Sequence, residues 1–156
     1  MKRTILHLCA DTGSDSWPYQ QDPTYDVIRI GSDIGVENYS PDRPIHGVIA
    51  NPVCTEFSAA RHGNAFGGGK REEADPEEGM FLVRECMRVI EEAQPAWHAI
   101  ENPATGTLRN YLGTPDYAYE PVIIAGGHRS YCGWAPVLVT WAPVPTVCYS
   151  LSSLSW

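Results

Sequence analysis

No stretch of the 156-residue chain approaches the roughly 18 unbroken apolar residues that a membrane-spanning helix requires. Basic residues are scarce: 11 Lys and Arg stand against 19 Asp and Glu, a formal net charge of −8. A non-specific nucleic-acid binder carries a basic stripe instead. Net charge averages over the whole surface, so local contact with a nucleotide remains open. The cysteines, Cys9, Cys54, Cys86, Cys132 and Cys148, are odd in number and contain no C-x-x-C pair. That argues against a disulfide framework and against a zinc ribbon. The N-terminus is basic and then apolar, but it meets Asp11 too early for the core of a signal peptide. A cytosolic protein without membrane contact is expected. The length suits one domain, and 43% hydrophobic with 19% charged residues suits a soluble globular one.

The last part of the chain lacks charge almost entirely. From Pro121 to Trp156 there is no Asp, Glu or Lys, only Arg129 and His128, and three of the five tryptophans. This break sets residues 1–120 apart from an atypical tail, residues 121–156. The tail is a buried sheet edge, a partner-facing surface, or sequence unrelated to the ancestral domain, as a reading-frame change would produce. An apolar, uncharged tail has to be covered, which predicts self-association through residues 131–156.

What is present is a series of short apolar runs closed by turn residues. Thr4–Leu8, Tyr25–Ile30, Gly47–Ala50 and Ala96–Ile100 fit parallel strands covered on both faces. Between the last two lies the clearest helix signal. Asp75 is an N-cap, Pro76 takes the first helical position, and Glu78 completes a D-x-x-E capping box. Met80, Val83, Met87, Ile90 and Ala93 recur near the 3.6 period, and Pro95 stops the helix. Cys86 falls on the apolar face and belongs to the core. Strand, helix, strand is a right-handed βαβ unit with parallel strands. The segment Arg61–Gly79, with Gly67-Gly68-Gly69 and several charges, predicts a mobile loop.

In a parallel α/β sheet, ligands sit beyond the carboxyl ends of the strands. Three segments fall there: the turn Ala10-Asp11-Thr12-Gly13-Ser14, the run Asn51-Pro52-Val53-Cys54-Thr55-Glu56-Phe57-Ser58, and Glu101-Asn102-Pro103. A cysteine after one strand and a carboxylate after a neighbouring one would converge on one cleft.

Pro52-Val53-Cys54-Thr55-Glu56-Phe57-Ser58 resembles the P-P-C-x-x-F-S nucleophile motif of DNA cytosine-5 methyltransferases, and Ile100-Glu101-Asn102-Pro103 resembles their E-N-V or E-N-P motif. Leu8-Cys9-Ala10-Asp11-Thr12-Gly13-Ser14 is similar to their first S-adenosyl-L-methionine loop, and the 61–79 loop falls where the family keeps its mobile catalytic loop. The resemblance covers about residues 4 to 120, in the order and spacing of the family, and small phage-type members look most similar. It implies a shortened Rossmann-like α/β sheet with helices on both faces and no separate target-recognition domain. It also implies a bacterial or phage-infected host cytoplasm, S-adenosyl-L-methionine as methyl donor, and DNA presenting a flipped cytosine.

The implied roles follow the chemistry. A Cys54 thiolate adds to C6 of cytosine and makes C5 nucleophilic. Cys54 would need a depressed pKa, from a nearby helix N-terminus or a cation. A protonated Glu101, its pKa raised by partial burial, would hydrogen-bond N3, with Asn102 beside it. The cofactor would meet Ala10, Asp11, Thr12, Gly13, Ser14, Asn51 and Pro52.

Several positions depart from the family pattern. Asp11 stands in place of the first glycine of the loop, which predicts crowding and weakened cofactor binding. Gly31 replaces the acid expected at the end of the second strand, with Asp33 the nearest substitute. Only 16 residues separate Ile30 from Gly47, so the family's next strand and helix must be shortened. Two rivals stand beside the methyltransferase. One is a methyltransferase fold that binds cofactor, nucleotide or a protein partner without turnover. The other is a cysteine hydrolase pairing Cys54 with His62 or His98. The bland alternative for Cys54 is an inert buried thiol, which its place after a strand, between Pro52 and Phe57, disfavours; Cys9, Cys132 and Cys148 are given no functional role.

Overall fold

The computed structural model describes residues 1–57, 75–103 and 106–119, and beyond them the strands at 122–124, 127–132, 135–137 and 146–149. The chain runs β1 (Arg3–Leu8), α1 (Trp17–Gln21), β2 (Tyr25–Ile30), a 3₁₀ turn (Val36–Asn38), β3 (Gly47–Ala50), α2 (Pro76–Ala93), β4 (Trp97–Pro103) and α3 (Arg109–Leu112). Then come β5 (Tyr117–Tyr119), β6 (Val122–Ile124), β7 (Gly127–Cys132), β8 (Ala135–Val137) and β9 (Thr146–Tyr149).

The main sheet has the order β2-β1-β3-β4-β9-β5, and β6-β7-β8 form a second, three-stranded sheet. Strands β2, β1, β3 and β4 are mutually parallel. This is an α/β architecture. The chain leaves β1 for β2 on one side and returns to β3 on the other, so β1 and β3 flank the point where the strand order reverses. Ligands of open α/β sheets bind at such a point.

Alternation along the strands divides the core. Leu6, Leu8, Val48, Ala50 and Ile100 face α2 and pack with Met80, Val83, Cys86, Met87, Val89 and Ile90. The opposite face carries α1, whose Tyr19 ring stacks on Trp97 with centroids 6.0 Å apart. Helix α2 starts at the expected cap: the Asp75 carboxylate accepts from the backbone N–H of Glu77 and Glu78, at 3.0 and 3.3 Å. The reciprocal half of the capping box is different. The Asp75 N–H donates to Glu56 Oε2 at 2.8 Å, so a residue near the end of β3 takes the place expected of Glu78.

Two expectations change. Residues 31–46 hold no shortened strand or α-helix, only the 3₁₀ turn, because 16 residues suffice to cross under β1 but not to add a layer. β4 does not stop before Glu101-Asn102-Pro103 but runs through them. β9 supplies the reason: it pairs antiparallel with this end of β4, Glu101 opposite Cys148 and Asn102 opposite Val147. The tail thus adds a strand between β4 and β5 in the main sheet. The glycine-rich segment up to residue 74, including His62, lies outside the described residues, as does Ser58.

Candidate active site

β1, β3 and β4 run in register, with His7 opposite Ile49 and Ile49 opposite Ala99. Two residues further along, on the same α1-facing side, stand Asn51 and Glu101. A row of polar side chains therefore crosses three adjacent strands at their carboxyl ends. His7 Nε2 is 2.7 Å from Asn51 Oδ1. Asn51 Nδ2 donates to Asp15 Oδ2 at 2.7 Å and to Glu101 Oε2 at 3.1 Å. His7 Nδ1 is 2.9 Å from Ser16 Oγ, which also lies 3.1 Å from the Gly13 carbonyl.

Proton inventory fixes the sense of these bonds. Two carboxylates can only accept, so the Asn51 amide turns its NH₂ toward them and its oxygen toward His7. His7 must then donate from Nε2. When neutral, it accepts the Ser16 hydroxyl proton at Nδ1. When charged, it donates to Ser16 Oγ and leaves that hydroxyl to the Gly13 carbonyl. Burial lowers the His7 pKa, opposed by the Asn51 hydrogen bond and the Asp15 charge. Burial raises the Asp15 carboxyl, opposed by His7.

Cys54 follows β3 in a turn closed by Phe57 N–H donating to the Cys54 carbonyl at 3.0 Å. Phe57 is fully buried and anchors that turn, its carbonyl accepting from Thr107 N–H at 2.8 Å. Cys54 is half-buried and lies within electrostatic reach of Glu101. Its thiol is pushed up, first by burial and then by the Glu101 charge. Among the described residues, the charge that acts on it is not the expected cation or helix N-terminus but a carboxylate. Asn102 is buried, donates to the Pro52 carbonyl at 3.3 Å, and has a buried Oδ1 with no partner among the described residues. It ties the ends of β3 and β4 together on the face opposite Glu101.

The first loop turns sharply. Cys9 has φ 55°, and Gly13 has φ 69° with the Arg29 guanidinium so close that a Cβ would overlap it. Cys9 Sγ lies 3.7 Å from Cys86 Sγ, and this bond lowers the Cys9 thiol. Asp11 is exposed and reaches sideways: its Oδ1 accepts from Ser32 N–H at 2.7 Å, which lowers its pKa. A Cβ on Gly31 would stand 2.8 Å from Asp11 Oδ1 and 3.1 Å from Asp33 Oδ1, so two carboxylates border the space that Gly31 leaves open. Thr12 and Ser14 are linked by their hydroxyls at 3.3 Å, and Ala10 N–H pairs with the Ile30 carbonyl at 2.9 Å.

The candidate residues thus fall into two neighbouring groups, Cys54, Glu101, Asn102, Asn51 and Pro52 around the ends of β3 and β4, and residues 10–14 with Asp33 around the ends of β1 and β2. Sequence reasoning missed His7, Asp15 and Ser16. The available signal was a histidine inside the apolar run of β1, where a polar side chain requires partners. His98 sits near the start of β4 opposite Val48, where burial lowers its pKa and Asp116 opposes that shift.

No protein-family model matches the chain. A Frog virus 3 (isolate Goorha) protein described as a probable DNA (cytosine-5)-methyltransferase is 35% identical over 69 residues, which make up 42% of this chain and 32% of that protein. The chain spans about a third of that relative's length. Among the described residues, no helix is long and apolar enough to cross a membrane.

Proposed function

We propose that the chain is a methyltransferase-like domain that transfers a methyl group from S-adenosyl-L-methionine to C5 of cytosine in DNA through a covalent Cys54 adduct. The observation that carries this reading is the Cys54 thiol beside the Glu101 carboxylate, at the ends of adjacent strands β3 and β4. The viral relative's description supports the reaction class.

The residues at the ends of β1 and β2 fit the cofactor. The turn around Gly13 presents backbone at the strand-order reversal, and the Asp11 and Asp33 carboxylates bordering Gly31 are acceptors suited to ribose hydroxyls. When bound, S-adenosyl-L-methionine supplies an electrophilic methyl group on a sulfonium.

Cys54 acts first. Its sulfur forms a bond to C6 of a cytosine taken out of its stack, and electron density moves toward N3 and C5. Protonated Glu101 donates to N3 and stabilises that density. A protonated Glu101 lacks the negative charge that raises the Cys54 thiol, so a base whose unprotonated N3 accepts from the neutral carboxyl, and thereby favours it, also eases thiolate formation. After C5 gains the methyl group, a base takes the C5 proton and the C6–S bond breaks, returning the thiolate. Asn102 acts by positioning, through its bond to the Pro52 carbonyl just ahead of Cys54.

A second reading, a methyltransferase fold that binds without turnover, is favoured by one observation: the free Cys54 thiol is raised rather than lowered. DNA containing 5-fluorocytosine, incubated with the full chain and S-adenosyl-L-methionine, separates the two. The catalytic reading expects a covalent adduct at Cys54, since fluorine at C5 cannot leave as a proton. Cofactor binding without an adduct selects the second reading. Self-association through residues 131–156 is retained as a separate proposal, and sedimentation that finds only monomer removes it.

A further inference from the structure

Among the buried titratable side chains of the described residues that the mechanism above does not use is a histidine. His7 is 2% exposed, sits in the interior strand β1, and directs its ring nitrogens at Ser16 and Asn51 rather than at Cys54 or the Asp11 and Asp33 carboxylates. Its ring nitrogens nevertheless end on the two elements that flank the site, Ser16 before α1 and Asn51 after β3.

We infer that His7 is a positioning residue for Glu101: its Nε2–H holds the Asn51 amide in the one orientation that gives the Glu101 carboxylate a hydrogen-bond donor. The inference deepens the methyltransferase reading by assigning what orients the carboxyl that faces the base. An asparagine amide has two faces of nearly equal shape and opposite hydrogen-bonding character. With its oxygen on His7, Asn51 donates one proton to Asp15 Oδ2 and one to Glu101 Oε2. Reversed, it would set an oxygen against both carboxylates. The Nε2–H of His7 makes the reversal costly from the other side, because the amide NH₂ would then confront a donor. The charges that face His7 are Asp15, across the connection into α1, and Arg29 on β2. Through Asn51, Glu101 also faces the Asp15 carboxylate, and Cys54 responds to Glu101 directly. A donor on Glu101 Oε2 fixes the plane of the carboxyl; in the free protein it also favours the ionised form, which the base reverses when its N3 accepts from the protonated acid.

The test uses the full chain labelled with ¹⁵N and ¹³C, with no substrate present. Long-range ¹H–¹⁵N spectra report which ring nitrogen of neutral His7 carries its proton, and carboxyl ¹³C shifts report the Glu101 titration midpoint. The Nε2–H form is expected in the wild type, and finding the Nδ1–H form overturns the inference without any substitution. His7→Leu should raise the Glu101 midpoint by about half a unit, less than the loss of a whole hydrogen bond to a charged group, because Asp15 and Glu101 still draw the same face of the amide while its oxygen is no longer held. His7→Gln, whose amide can still donate to Asn51 Oδ1, should restore it. An unmoved midpoint in His7→Leu, or a His7→Gln midpoint shifted as far as that of His7→Leu, overturns the inference. If His7→Leu does not fold, the wild-type tautomer and the His7→Gln midpoint decide alone. Methyl transfer enters none of these readouts. A correct tautomer with no 5-fluorocytosine adduct therefore counts against the proposed activity only, and an adduct with the wrong tautomer counts against His7 only.

Discussion

Asn51 Nδ2 donates to Glu101 Oε2 at 3.1 Å, which links the end of β3 to the end of β4 across 50 residues of sequence. The same amide is held by His7 and Asp15, so the Glu101 carboxylate, the Cys54 thiol it influences and the loop after β1 form one connected polar unit. That connection sets the expected outcome of several substitutions.

Removing the charge at position 101 should release Cys54. The Glu101 charge is the second cause of the raised thiol, after burial. Glu101→Gln should lower the midpoint of Cys54 alkylation by iodoacetamide by about half a unit, with burial still holding it up. Peptide-resolved mass spectrometry separates Cys54 from Cys9, whose thiol is lowered by Cys86. An unchanged Cys54 profile would show that the two groups do not interact in solution.

Asp15 should make stability depend on pH. Its folded pKa is raised by burial, so the stability it contributes is present below its unfolded value near 3.8 and lost as pH rises through the folded value. His7 is lowered by burial, so its contribution is present above its unfolded value of 6.5 and lost as pH falls through the folded value. Asp15→Asn keeps an acceptor for Asn51 and removes the buried charge. It should raise the urea midpoint at neutral pH, with the gain shrinking toward acid. A gain that is the same at pH 3 and pH 7 contradicts this account.

Gly79→Ala should destabilise the domain although alanine is the better helix former. A Cβ at Gly79 would stand 2.7 Å from Phe57 Cζ and 2.9 Å from Glu56 Cβ, in the first turn of α2. Phe57 is fully buried and cannot move aside without disturbing the turn that carries Cys54. Overpacking of this kind costs about 1–3 kcal/mol, more than the gain in helix propensity of about 1 kcal/mol. Chemical denaturation measures the difference.

Asp11→Gly should weaken S-adenosyl-L-methionine binding, by about tenfold in calorimetry, the scale of one lost hydrogen bond to a charged group. The sequence alone predicts the opposite sign, because a side chain at this position was expected to crowd the loop. In the fold the carboxylate is turned toward Ser32 N–H and borders the space over Gly31, where it ties the two loops together. Tighter binding in the glycine variant would restore the crowding explanation.

Much of the scaffold was legible in the sequence because its signals are short-range. The strands at Tyr25–Ile30 and Gly47–Ala50 are bounded by turn residues next to them, and α2 begins at its own cap and ends before Pro95. The motif residues at the ends of β3 and β4 could be placed because a parallel βαβ unit leaves them at one end of the sheet. What the sequence by itself did not determine depends on register between distant segments. β4 runs on through Pro103 because β9, more than 40 residues later, pairs with it. The link from His7 to Glu101 exists because β1, β3 and β4 align His7, Ile49 and Ala99 in one row and lift Asn51 and Glu101 to the next. The direction of the Cys54 shift was likewise a matter for the tertiary structure. A thiol's pKa is set by the water removed from around it and by the nearest charge, and here that charge is a carboxylate brought from a neighbouring strand.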